Sequence, residues 1–355
     1  MKMKKIIALF FGLSLAIFAT AQPANYYNSA NGLTGDQLKV ALHNIIKGHT
    51  SISYAQLWNA FWSTDNKGNG IVWDMYSDNP NGTPPYIYHL GDDQCGNYSG
   101  EGDCHNREHS WPSSWFSDQN TPRTDLHHIF PTDGYVNNRR SNYAFGEVGS
   151  ASWTSRNGSK LGTCKTPGFT GTVFEPIDEY KGDFARAIMY MSVRYYSEDG
   201  SWGSSDMTTK SEIKPWAIDL LLRWNELDPV SEKEKDRNEV IYNDYQHNRN
   251  PFVDHPEYAR MIWDPSWNLV DEMHTTVYLF PNPIEAGQPL HVSGNCNSFD
   301  AIVVCDLCGH TLLKASGHAV GDFTMTLPNG FAKGCYIVKL MRNSAVVKYE
   351  KLLVK

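Results

Sequence analysis

Long hydrophobic runs are nearly absent from this sequence. The one apolar stretch of any length, Ile6 to Phe18, falls short of the about 20 residues that a membrane-spanning helix needs, and no later segment competes with it, so no span is expected in the mature chain. Charge is scarce too, at 20% of residues against 13% aromatic, which excludes a disordered or coiled-coil chain. Positive charge is the scarcer sign: the formal net charge of −8 counts against a broadly basic surface built for polyanions. Cysteine, at seven residues, is odd in number and lacks the paired CxxC units that make a zinc site specific.

What is present fits a two-domain exported protein. At 355 residues the chain exceeds the usual single domain. Lys2, Lys4 and Lys5, the apolar run and Ala19-Thr20-Ala21 form a secretory signal peptide over residues 1–21. Cys95 and Cys104 flank a Gly-rich loop and can pair in an oxidising compartment; a zinc site at Cys305-x-x-Cys308 is the alternative use of the C-terminal cysteines.

Helical periodicity marks Leu38 to Ile46, Tyr54 to Trp62, Asp183 to Tyr196 and Lys214 to Leu227, with a Gly-, Asn- and Pro-rich loop region from Gly68 to Gly102. Past Thr276 the period becomes two. Leu290 to Ser293, Ala301 to Val304, Phe323 to Leu327 and Tyr336 to Leu340 read as strands of a small all-β sandwich. The expected division is 1–21 leader, 22–272 catalytic domain and 273–355 β-sandwich, an α+β class overall. The net charge also hides a gradient. Arg107, Arg123, Arg139, Arg140, Arg156, Lys160 and Lys165 cluster in one stretch, while acidic residues gather around Glu226 to Glu239.

Reactive side chains concentrate in two segments. His105-Asn-Arg-Glu-His109 matches H-x-x-E-H, the inverted zinc-protease signature. That chemistry needs both His on one helix face, and Gly100, Gly102 and Pro112 make a helix improbable; on a strand, positions four apart lie about 13 Å apart. The second segment, Asp125-Leu-His127-His128-Ile-Phe-Pro131-Thr-Asp-Gly134, is expected as an extended run turning at Pro131 to Gly134, followed by a short helix through Asn137 and Arg140. A strand His beside a helix Asn suits a one-metal hydrolytic site. Neutral imidazole deprotonates water, and Glu108 with an Asn carbonyl offers the hard oxygens that Mg²⁺ accepts while keeping most of its waters.

In these residues the chain resembles the bacterial endonuclease I family of secreted and periplasmic nucleases. The likeness is carried by Arg107-Glu108-His109 with Pro112, Asp125-Leu126-His127 with Pro131, and Gly134-x-Val136-Asn137-x-x-Arg140-Ser141-Asn142. It implies a ββα-metal core, with His109 as general base, Glu108 and Asn137 as ligands of Mg²⁺ (or Mn²⁺ or Ca²⁺), and DNA or RNA as substrate. His128 departs from a more usual Asn, and Asn138-Arg139 from a Gly-Asp pair. Arg140 and Arg123 are candidates for clamping the scissile phosphate. His127 either orients the base through a hydrogen bond or packs, and Trp111 and Trp115 either stack on bases or pack.

Phe280-Pro-Asn-Pro283, the Asp306-x-x-Gly309 turn, Gly334-x-Tyr336-Ile-Val338 and the closing Lys351-Leu-Leu-Val-Lys355 resemble a type IX secretion sorting domain. That likeness implies export across an outer membrane by the type IX machinery, to a secreted or cell-surface location. An accessory binding sandwich is the alternative. The expected protein is a monomeric nuclease; the competing class is a secreted protein that captures nucleic acid or a surface without cutting.

Overall fold

The computed structural model describes residues 23–264, 277–294, 299–307, 309–319, 323–342 and 345–355. The expected leader, Cys296, Cys308 and the expected boundary between 272 and 273 lie outside the described residues. The chain divides at Ala259 into two compact units, and among the described residues no helix is long and apolar enough to cross a membrane.

In the first unit, α1 (Gly35–Ile46) and α2 (Gln56–Thr64) bury Leu38, Leu42, Ile46, Leu57 and Phe61, the apolar stripes that their spacing predicts. The loop region ends at a Cys95–Cys104 disulfide with 5.7 Å between Cα atoms. Four elements then follow closely: β1 (His105–His109), α3 (Asn120–Arg123), β2 (Ile129–Asp133) and α4 (Gly134–Arg140). β1 and β2 pair antiparallel, with Glu108 opposite Phe130 and His109 opposite Ile129. The expected turn at Pro131 is absent, because β2 runs straight through that residue to Asp133. Pro131 lacks a backbone donor, and a two-stranded sheet leaves the outer edge of β2 with no ladder to feed.

A four-stranded sheet in the order β3 (Ala144–Phe145), β6 (Thr172–Glu175), β5 (Lys160–Cys164) and β4 (Val148–Thr154) comes next. It leads into α5 (Lys181–Arg194), in which every residue is buried. Charges on such a helix need partners, and they have them: Asp183 pairs with Lys233, Arg186 with Glu234 and Arg194 with Glu198. The ribbon of β7 (Thr208–Thr209) and β8 (Glu212–Ile213), then α6 (Pro215–Leu227), α7 (Glu232–Val240) and α8 (Pro251–Asp254), complete the unit. Ser231 and Glu234 form a capping box at the start of α7.

The second unit is all β. β10 (Pro289–Gly294) lies between β9 (Val277–Phe280) and β13 (Phe323–Thr326) in one sheet. The other runs β12 (Thr311–Ala319), β11 (Phe299–Cys305), β14 (Gly334–Arg342), β15 (Ala345–Val354), with every pairing antiparallel. Alternating residues from both sheets, Leu290 and Val292, Ile302 and Val304, Val338 and Leu340, fill one core, as period-two patterning predicts. Cys305 is buried within β11. An α+β unit followed by an antiparallel sandwich is the architecture expected from the sequence.

Candidate active site

β1 is unpromising as a strand on composition, since Asn, Arg and Glu rarely favour one. Its neighbours hold it extended. The disulfide fixes the preceding residue, His105 N–H donates to Asp93 O (2.9 Å), and Ser110 N–H donates to His128 O (3.0 Å). With the strand in place, alternate side chains share a face. Asn106 and Glu108 meet α4, where Asn137 and Arg140 sit three residues apart on one helical face. Asn137 Nδ2 donates to Asn106 Oδ1 (2.7 Å), and Arg140 Nη1 lies 3.2 Å from Glu108 Oε1. Asp133 starts α4 by accepting from Val136 N–H (2.7 Å). His105 and His109 sit at opposite ends of the strand, as the rejection of the zinc-protease reading requires.

His109 Nε2 lies 3.1 Å from the carbonyl oxygen of Arg123. A carbonyl only accepts, so this nitrogen carries the proton and Nδ1 keeps its lone pair. Burial, then the neighbouring His128 and the guanidiniums of Arg123 and Arg107, push His109 down to about 3, so it is neutral near pH 7. The ring packs beside Tyr54 (6.2 Å, 18° between planes), His128 (5.5 Å) and Phe116 (6.2 Å). His128 Nε2 in turn donates to Pro122 O (2.6 Å). Two adjacent carbonyls of α3 therefore set the orientation of both imidazoles.

Glu108 is 1% exposed, and burial pushes its carboxyl up to about 7 against the lowering influence of Arg140 and Tyr76. Its Oε1 accepts from Tyr76 Oη (2.9 Å); its Oε2 accepts nothing among the described residues. The Asn106 contact leaves Asn137 Oδ1 likewise free among the described residues. Arg107, Glu108, His109, Asn137, Arg140 and Asn142 line one open groove of about 310 Å³. Among the described residues no three His, Cys, Asp or Glu side chains gather to hold a metal ion. A cation here would have one carboxylate and one amide oxygen from the protein and would keep water elsewhere, a donor set that suits Mg²⁺.

The other expected site residues differ in where they sit. His127 points away from the groove: Nε2 donates to Asn248 O (3.1 Å) and the ring packs on Tyr190 (4.6 Å). The cause is a 3₁₀ turn over Leu126–His128, capped by Asp125, which splays consecutive side chains about 120° apart and leaves His128 to face His109. Arg140 lines the groove but is 1% exposed, and its guanidinium donates to His109 O (2.9 Å) and Ser110 O (2.6 Å) besides facing Glu108. As placed, it serves protein acceptors and not a phosphate. Arg123 sits with its guanidinium carbon 4.7 Å from the Tyr54 ring centroid. Trp111 and Trp115 are buried, which leaves packing as their use. Tyr76, Asn106 and Tyr54 support the site without a motif to announce them. Asn106 alone carried a signal, two positions before Glu108 on a strand.

An antiparallel strand pair leads into a short helix, and a neutral imidazole, a carboxylate and an amide line one open groove. Likeness to known proteins carries this further. Residues 34–257 match the Endonuclease I family. An extracellular ribonuclease of Bacillus amyloliquefaciens is 41% identical over 261 residues, covering 70% of this chain and 82% of that protein. One from Bacillus subtilis (strain 168) is 40% identical over 266 residues, covering 71% and 84%. Endonuclease-1 of Buchnera aphidicola subsp. Acyrthosiphon pisum (strain APS) is 27% identical over 131 residues, covering 37% and 44%. The chain belongs to the endonuclease I family and is a nuclease.

Proposed function

We propose that this protein is exported and hydrolyses phosphodiester bonds of RNA, and also of DNA, with little sequence preference and with a divalent cation, Mg²⁺ first, as cofactor. The observation that carries this reading is that His109, with Nδ1 free, shares a groove with the free oxygens of Glu108 and Asn137. RNA comes first because the relatives near 40% identity are named extracellular ribonucleases.

His109 Nδ1 takes a proton from the attacking water, while the Arg123 carbonyl holds the ring in the tautomer that this requires. A bound cation supplies charge stabilisation at the phosphate and the departing oxygen. Glu108 and Asn137 would hold it, Tyr76 and Asn106 hold those two side chains in place, and Arg140 favours the charged form of the Glu108 carboxyl against burial. Arg123 contributes its guanidinium to the scissile phosphate. The second unit is an export address read by the type IX machinery, with no part in cleavage.

The test is digestion of RNA and of plasmid by the purified protein with Mg²⁺, with chelator, and as His109→Ala. Cleavage that stops with chelator and falls at least a hundredfold in the variant, with its thermal unfolding preserved, supports the proposal. Cleavage indifferent to both sinks it.

A further inference from the structure

Most arginines of the first unit are paired with carboxylates: Arg140, Arg186, Arg194, Arg223, Arg237 and Arg249 each meet one. Arg139 and Arg156 meet none among the described residues, and neither do Arg107 and Arg123, although the chain as a whole carries a net charge of −8. Arg107 and Arg123 are also neighbours. Both guanidiniums rest on Tyr54, with Arg107 Cζ 3.6 Å and Arg123 Cζ 4.7 Å from the ring centroid. Two like charges gathered on one ring repel each other, an arrangement that an anion relieves.

Arg107 is further prepared for that role. Its Cζ lies 4.4 Å from the Trp58 ring as well, so two aromatic rings flank the planar group. Nη1 donates to Tyr54 O (2.8 Å), and Nε has no partner among the described residues. A guanidinium held in this way loses little freedom on binding. It also stands at a junction. Arg107 lines the groove that holds His109 and Glu108, and equally a second hollow of about 400 Å³ bounded by Tyr54, Trp58, Gln94 and Asn106.

We propose that Arg107 binds the phosphate next to the scissile one, so that the substrate strand runs from the catalytic groove past Tyr54 into the second hollow. This rests on the cleavage reading above, in which Arg123 serves the scissile phosphate. The ligand is a backbone phosphate, so the contact carries no base preference.

The experiment uses the full chain and a trinucleotide with two internal linkages, one cleavable and one either native or an uncharged methylphosphonate. In wild type, neutralising the flanking linkage should lower kcat/KM at the cleavable one by about tenfold, mostly through KM. Arg107→Gln, which keeps an amide donor for the Tyr54 carbonyl, should show that loss on the native trinucleotide and no further loss on the methylphosphonate. Binding of single-stranded oligonucleotides in a His109→Ala background should lose about 0.7 from the slope of log Kd against log salt in Arg107→Gln. Arg107→Lys should restore the slope. A methylphosphonate penalty that persists undiminished in Arg107→Gln, or an unchanged salt slope, overturns the proposal while leaving the cleavage reading intact. Failure of wild type to cleave the native trinucleotide strikes the cleavage reading itself.

Discussion

Replacing Arg140 by Met separates two roles that its position in the family motif leaves entangled. Were it a phosphate clamp, its loss would raise KM and spare the fold. The structure gives a different expectation: Arg140 is buried at 1% exposure, lies 3.2 Å from the buried carboxylate of Glu108, and donates to two main-chain carbonyls. Each buried main-chain carbonyl orphaned by loss of the guanidinium costs about 1–3 kcal/mol. Glu108 adds little near pH 7, because burial already raises its carboxyl to about 7 and it takes up a proton once Arg140 is gone. For a unit of this size about 4 kcal/mol lowers the unfolding midpoint by roughly 10 °C. Arg140→Met should therefore melt far below wild type near pH 7, and the double variant Arg140→Met/Glu108→Gln should regain little of that loss, since the carbonyls of residues 109 and 110 stay orphaned in both. Calorimetry on wild type, both single variants and the double variant measures the coupling. A midpoint for Arg140→Met within 2 °C of wild type, by the same roughly 10 °C reckoning, together with a raised KM for RNA, would refute this and return Arg140 to the phosphate.

Burial holds His105, His127 and His128 at about 4, each below its ordinary 6.5. Each is neutral in the folded chain, so its contribution to stability is complete above pH 6.5 and is lost as pH falls towards 4. Asp74, raised by burial to about 7, acts in the opposite sense, so the clean measurement is imidazole titration by NMR; a midpoint near 6.5 for any of the three would contradict the burial argument. The Cys95–Cys104 bridge closes a nine-residue separation just before β1, and Cys95→Ser/Cys104→Ser should cost about 3 kcal/mol in urea unfolding. An unchanged unfolding midpoint would show that the bridge does not constrain the unfolded chain.

The candidate site was legible because its residues lie close in sequence and their local geometry is simple. Glu108 and Asn106 share a face on any strand, and Asn137 and Arg140 share one on any helix. α5 and α6 announced themselves by apolar spacing, and the sandwich by alternation. Other assignments depend on details that spacing does not encode. Whether His127 or His128 faces His109 is set by the phase of one 3₁₀ turn. The burial of Arg140 is fixed by where the backbone at residues 109 and 110 passes. Tyr76 reaches Glu108 from a loop 32 residues upstream that has no period to read.

Both imidazoles of the site lean on main-chain oxygens of α3, at residues 122 and 123. Anchors of that kind are indifferent to the identity of the residue that supplies them, so a search for functional positions by side-chain exchange would pass over Pro122 altogether. Sensitivity there lies in the path of the chain: deleting one residue between 119 and 122 would rotate both oxygens away and free both imidazoles more surely than any single replacement in that stretch.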